Sequence, residues 1–140
     1  MFELPEDYWP ALGARAVACP LWAWVPEMST LAGDPVVAID GALFVRQIQP
    51  TGTSFKPIGP HHLPLLQDEL TCDRLLDRVR VVRGDPRFDV HRPGPPKLFV
   101  PLAPLALVAC WRWRNHDDTL LFRTRGEAIL AALESATITQ

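Results

Sequence analysis

Apolar and polar residues alternate along this chain in two rhythms, and each rhythm predicts its own kind of element. From Val36 to Val45 two β-prone runs flank Asp40-Gly41. Asp-Gly in that setting favours a tight hairpin, because both central residues need positive φ. The implied register sets Val37 against Phe44 and Val36 against Val45. Both faces of the hairpin are then apolar, which predicts a hairpin covered on both sides. A second hairpin is expected from Cys110-Trp111-Arg112-Trp113-Arg114, a turn at 115–118, and Thr119 to Arg123. Pairing Trp113 with Leu120 and Trp111 with Phe122 keeps the rings together, and Arg112, Arg114 and Arg123 then share the opposite face. A slip of one residue would set Trp111 against Arg123 and mix the faces.

The other rhythm is helical. Leu65, Leu66, Leu70, Cys72, Leu76 and Val79 recur at helical spacing among Asp68, Glu69, Asp73, Arg74, Asp77 and Arg78. This predicts a helix over about 64–78, with Pro64 in its first turn. Val81-Val82 reads as a return to strand. Thr124-Arg125-Gly126-Glu127 matches a capping box ahead of a helix over 125–136, with Ile129, Leu133 and Ala136 on one face. A short helix within 3–13 is limited by Pro5 and Pro10. Leu21-Trp22-Ala23-Trp24-Val25 alternates as a strand does, Arg87 to Arg92 is a short strand candidate, and 50–64 reads as a long loop. Leu98 to Val108 is an apolar run that Pro101 and Pro104 confine to an edge or bulged position. The expected fold is α+β: a small mixed or antiparallel sheet built from hairpins at about 36–48 and 105–124, with helices at about 64–78 and 125–136.

Composition sharpens this picture in three places. A chain of 140 residues with 48% hydrophobic and 21% charged residues fits one globular domain over 1–140 and needs no metal or disulfide to fold. Fifteen prolines, about twice the usual share of roughly 5%, predict short elements and many turns. Cys19, Cys72 and Cys110 are odd in number, with no paired ligand spacing, and are expected to be reduced thiols of a cytoplasmic protein. Acidic residues before Ala16-Val17-Ala18-Cys19 argue against an export signal, and no apolar run is long enough to span a membrane.

Charge is unevenly placed. Residues 1–70 carry −5 and residues 71–140 carry +3, for a net charge of −2. The most distinctive short feature is Trp-Arg-Trp-Arg at 111–114. Interleaved aromatic and cationic residues suit single-stranded nucleic acid, but strand alternation sends rings and guanidinium groups to opposite faces. What remains is a patch of Arg112, Arg114 and Arg123, suited to an acidic protein surface or to phosphates. Two His/Asp pairs offer acid–base chemistry: Asp89 with His91, and His116 with Asp117 at the hairpin tip. No nucleophile is identifiable beside Asp89 and His91, and turn chemistry alone explains Asn115 and the acids at the tip. The adjacent His61-His62 lies in the Pro/Gly loop. No phosphate-cradling loop, nucleophile elbow or zinc-protease motif occurs, and neither cofactor nor metal is expected.

These features favour a non-catalytic protein-binding module: a small accessory, inhibitor or regulatory protein. It would present the arginine patch and the aromatic anchors Trp22 and Trp24 to an acidic protein partner. The alternatives are a nucleic-acid-binding protein using the basic C-terminal half, and a small enzyme using Asp89/His91 or His116/Asp117.

Overall fold

A computed structural model describes residues 4–91, 111–113 and 122–138 of the chain. The first helix, α1 (Tyr8–Ala18), accommodates Pro10 because the first turn of a helix has no intrahelical use for its N–H groups. It stops at Cys19, whose φ of −72° and ψ of 127° are extended, as the steric demand of Pro20 requires. Tyr8, Leu12 and Ala16, one helical turn apart, are buried along a single stripe. Gly13 lies on that side too. A Cβ there would sit 2.9 Å from the carbonyl oxygen of Pro64, so the missing side chain lets α1 close onto the 63–64 segment.

Residues 22–25 form no strand. Bracketed by Pro20 and Pro26, they find no ladder partner, and Trp22 and Trp24 instead pack edge to face with centroids 5.4 Å apart. The chain then reverses at Val25–Met28, where Glu27 takes a φ of 79° and the N–H of Met28 reaches the carbonyl of Val25.

The first sheet follows. Strands β1 (Val36–Ile39) and β2 (Ala42–Gln49) pair antiparallel, with Val36 against Val45 and Val37 against Phe44 as the hairpin reading expects. Asp40 and Gly41 have φ of 52° and 81°, the paired positive values of the tight turn. The region read as a long loop contains a third strand, β3 (Gly52–Pro57), antiparallel to β2, and the sheet order is β1-β2-β3. Pro57 is tolerated because it pairs opposite Phe44, whose polar groups serve β1, so no ladder bond to β2 is lost.

The second helix, α2 (Glu69–Arg83), begins five residues later than the spacing predicts and ends five residues later. Asp68 caps it, its carboxylate accepting from the N–H of Thr71 at 2.9 Å and from the Thr71 hydroxyl at 2.8 Å. Pro64 precedes the helix instead of opening it. Val81-Val82 stays helical because Gly84, at φ 64°, supplies the left-handed cap that closes on Arg80 and Val81. The third helix, α3 (Arg125–Ile138), begins after Thr124, whose hydroxyl accepts the N–H of Glu127 at 3.2 Å. It buries Ala128, Ile129, Leu130, Ala132, Leu133 and Ala136, far more than one face.

A two-stranded ribbon completes the described chain. Strand β4 (Val90–His91) pairs antiparallel with β5 (Arg112–Trp113), and Trp111 bridges Phe122 in the expected register. The partner expected for Trp113, Leu120, lies outside the described residues, as do most of the 105–124 hairpin and the 98–108 run. Trp113 stacks on Phe122 at 5.6 Å, and its indole N–H donates to the carbonyl of Ala128 at 2.8 Å. The core is therefore α2 and α3 packed together, with Met28, Val36, Phe88 and Val90 closing its sides. The fold is α+β. No helix among the described residues is long and apolar enough to cross a membrane.

Candidate partner-binding surface

The sheet has two unequal faces. Residues paired directly across an antiparallel ladder point to the same side. Val36, Leu43 and Val45 therefore share the inner face, where Val36 and Val45 are fully buried and Leu43 packs on the core. The outer face carries Val37, Ile39, Ala42, Phe44, Arg46, Ile48, Thr53, Phe55 and Pro57. Here Ile48 is 77% exposed, Phe55 48% and Ile39 39%. The expectation of a hairpin covered on both sides fails on this face. Isolated exposed apolar residues are ordinary; here three share one sheet face.

The outer face runs into a groove. About 540 Å³ in volume, it is bounded by Pro26, Glu27, Val37, Ala38, Arg46 and Leu70. Leu70 is 42% exposed at the start of α2. Of the acids nearby, Glu27 pairs with Arg74 at 2.9 Å, and Asp68 is engaged as the α2 cap. Arg46 makes no ion pair among the described residues.

A second cleft, about 230 Å³, opens where α2 and α3 begin. Trp9, Trp111, Cys72, Arg123 and Arg125 line it. Arg125 is committed to Asp73 at 2.6 Å, whereas Arg123 is exposed. Below the cleft the Tyr8 hydroxyl donates to Glu127 at 2.5 Å and lies 2.9 Å from the Thr124 hydroxyl. Burial, reinforced by the bond to Glu127, pushes the Tyr8 phenol well above its ordinary value. Burial likewise pushes the Cys72 thiol up to about 11, and its Sγ donates to the carbonyl of Leu66. A thiol held protonated in this way is a poor nucleophile.

The histidines divide between two places. The His61 and His62 rings lie 4.1 Å apart, tilted by 37°, beside a hollow that also includes Asp34 and Gln47. His62 accepts the N–H of Gly59 on Nδ1 at 2.9 Å, and burial, then the neighbouring His61, lowers its affinity for a proton. Asp89 accepts the N–H of Val90, while Nδ1 of His91 is buried with no hydrogen-bond partner among the described residues. No group of three metal-ligating side chains exists among the described residues.

The sequence-predicted partner residues are dispersed. Trp22 and Trp24 are half-buried and packed against the core. Arg123 stands at the rim of the helix-start cleft. Arg112 lies on β5 opposite His91, and only its backbone is described. Arg114, His116 and Asp117 lie outside the described residues. Sequence reasoning missed Ile48, Phe55 and Arg46. Their signal was present: the alternation continues past Val45 through Arg46-Gln47-Ile48-Gln49, and Thr53-Ser54-Phe55 is β-prone. Compared with protein-family models, with curated proteins and with solved structures, the chain matches none.

Proposed function

We propose that the chain is a non-catalytic protein-binding module, a small accessory, inhibitor or regulatory protein, whose docking surface is the outer face of the β1-β2-β3 sheet. One observation carries the reading: Ile39, Ile48 and Phe55 stand exposed on a single sheet face, while the other face buries Val36 and Val45. Leaving such a face in water forgoes burial worth about 25 cal/mol per Å², a gain that a docked partner recovers. Phe55 is the aromatic anchor of this surface, in place of Trp22 and Trp24. Arg46 on the face and Arg123 at the helix-start cleft support a partner with acidic character. Cys19 and Cys72, both buried free thiols, fit a reducing cytoplasm.

Affinity capture from host lysate with three forms of the chain tests this. The wild type and Val81→Asp, altered at a 74% exposed position on α2, should retain the same partner. The Ile48→Asp/Phe55→Asp double variant should lose it while keeping its circular dichroism spectrum. Capture by the double variant at wild-type level would remove the sheet as the docking surface.

A further inference from the structure

The partner itself can be described more closely, on the premise that the outer sheet face is where it docks. We infer that it lays an extended segment along the open edge of β1, with one carboxylate of an otherwise apolar stretch placed on Arg46.

The edge comes first. In an antiparallel ladder, alternate residues turn their N–H and C=O groups toward the neighbouring strand and the rest turn them away. The N–H of Arg46 donates to the carbonyl of Pro35, so Pro35, Val37 and Ile39 face β2. Val36 and Ala38 face outward. At Val36 the outward groups are taken: its N–H donates to Met28 at 2.7 Å, and its carbonyl accepts from Glu27 at 2.9 Å. Pro26 has no N–H to continue this pairing, and the reversal at 25–28 turns the chain aside. Two residues further along, the N–H and C=O of Ala38 open onto the 540 Å³ groove. A strand edge that is half capped and then open is a template for an added strand.

The groove then selects the side chains. Its walls are apolar at Pro26, Val37 and Leu70. Strand addition places alternate residues of the incoming segment over Val37 and the outer face. There they flank Val37 and Ile39, with Phe44 one strand further in, while Phe55 lies on β3 at the far edge of the sheet. Glu27 and Asp68 are already engaged, so the unspent charge of the groove is the Arg46 guanidinium. Covering it with apolar surface alone would strand a cation; a carboxylate satisfies it.

The same charge decides against a second copy of this chain. The outer face holds one arginine and neither Asp nor Glu among Val37, Ile39, Ala42, Phe44, Ile48, Thr53, Phe55 and Pro57. Two such faces pressed together would enclose two guanidinium groups with no acid between them, a costly arrangement.

Peptide display on the intact wild-type chain, using a random dodecapeptide library, is the test. Enriched peptides should alternate apolar residues around a single Asp or Glu. Their affinity should fall about tenfold or more in Arg46→Glu and in Leu70→Asp, and a peptide with Lys in place of its acid should regain affinity for Arg46→Glu. N-methylation of a backbone amide that faces β1 should abolish binding, whereas methylation of the next amide along, which faces away, should be tolerated. Peptides bound equally by Arg46→Glu and Leu70→Asp, but lost in Ile48→Asp/Phe55→Asp, would overturn this inference and leave the docking face standing. Absence of any enriched peptide on the wild-type chain would overturn both. Sedimentation showing a wild-type dimer that the double variant abolishes would replace the foreign segment with a second copy.

Discussion

The helix α3 and the strand β3 are opposite answers to one question, where apolar residues go. From Ala128 to Leu133 the helix buries five of its six residues, and the sixth, Ala131, is the smallest that could be left partly out. β3 has no fully buried residue, and its largest apolar side chain, Phe55, is half in water. Hydrophobic content alone does not locate the core. What differs is partner supply: α3 meets α2 on one side and the Phe88–Val90–Trp113 ribbon on another, whereas beyond the outer sheet face nothing among the described residues takes that role. The helices bury most of the core, whereas the sheet leaves Ile39, Ile48 and Phe55 exposed.

Truncation should separate the two regions most sharply. Leu133→Ala removes a fully buried side chain between helices and should cost about 2–5 kcal/mol in urea unfolding, enough to threaten the fold. A loss below 1 kcal/mol would place the stabilising core elsewhere.

A smaller effect should follow from alkaline pH, again on the helical side. The folded state holds the Cys72 thiol up to about 11 against an ordinary 9, so it binds that proton more tightly than the unfolded chain does. The stability this contributes is complete below about pH 9 and is lost as pH rises toward 11; the raised Tyr8 phenol acts in the same direction from about pH 10. The urea midpoint should fall across that range, and less steeply in Cys72→Ala. Equal slopes in the two proteins would show that the thiol is not the titrating group.

The smallest effect is the most telling. Ile48→Asp should change the unfolding free energy by no more than about 0.5 kcal/mol, because the side chain is already in water. A large destabilisation would mean that the chain itself depends on that face.

How much of this was legible in the sequence depended on whether the signal was local. The Asp40-Gly41 hairpin and the Thr124 cap follow from turn and cap chemistry carried by a few neighbouring residues, and both stand where the sequence placed them. β3 was hidden because Pro50, Gly52 and Pro57 look like loop. Proline is excluded from a strand only where its N–H is needed, and at the outward positions of an edge it is not. The start of α2 was misplaced because Leu65 and Leu66 continue the apolar spacing, while the decisive residue, Asp68, acts through hydrogen bonds to Thr71. The tryptophan alternation at 22–25 was real, but alternation needs a neighbouring strand before it becomes a sheet. The strand alternation through Ile48 and Phe55 was readable in the sequence, but their exposure was not, because exposure depends on what lies opposite a face.

The Thr71 hydroxyl joins two elements. It takes the N–H of Ser29 at 2.9 Å while giving its own proton to Asp68, the residue that starts α2 and also flanks the groove. The loop leading into the sheet and the first turn of the helix are thereby yoked through one oxygen atom. A tug on the sheet's margin is felt at the helix start, and slowed amide exchange at Ser29 and Thr71 would register an occupant without anyone having to see it.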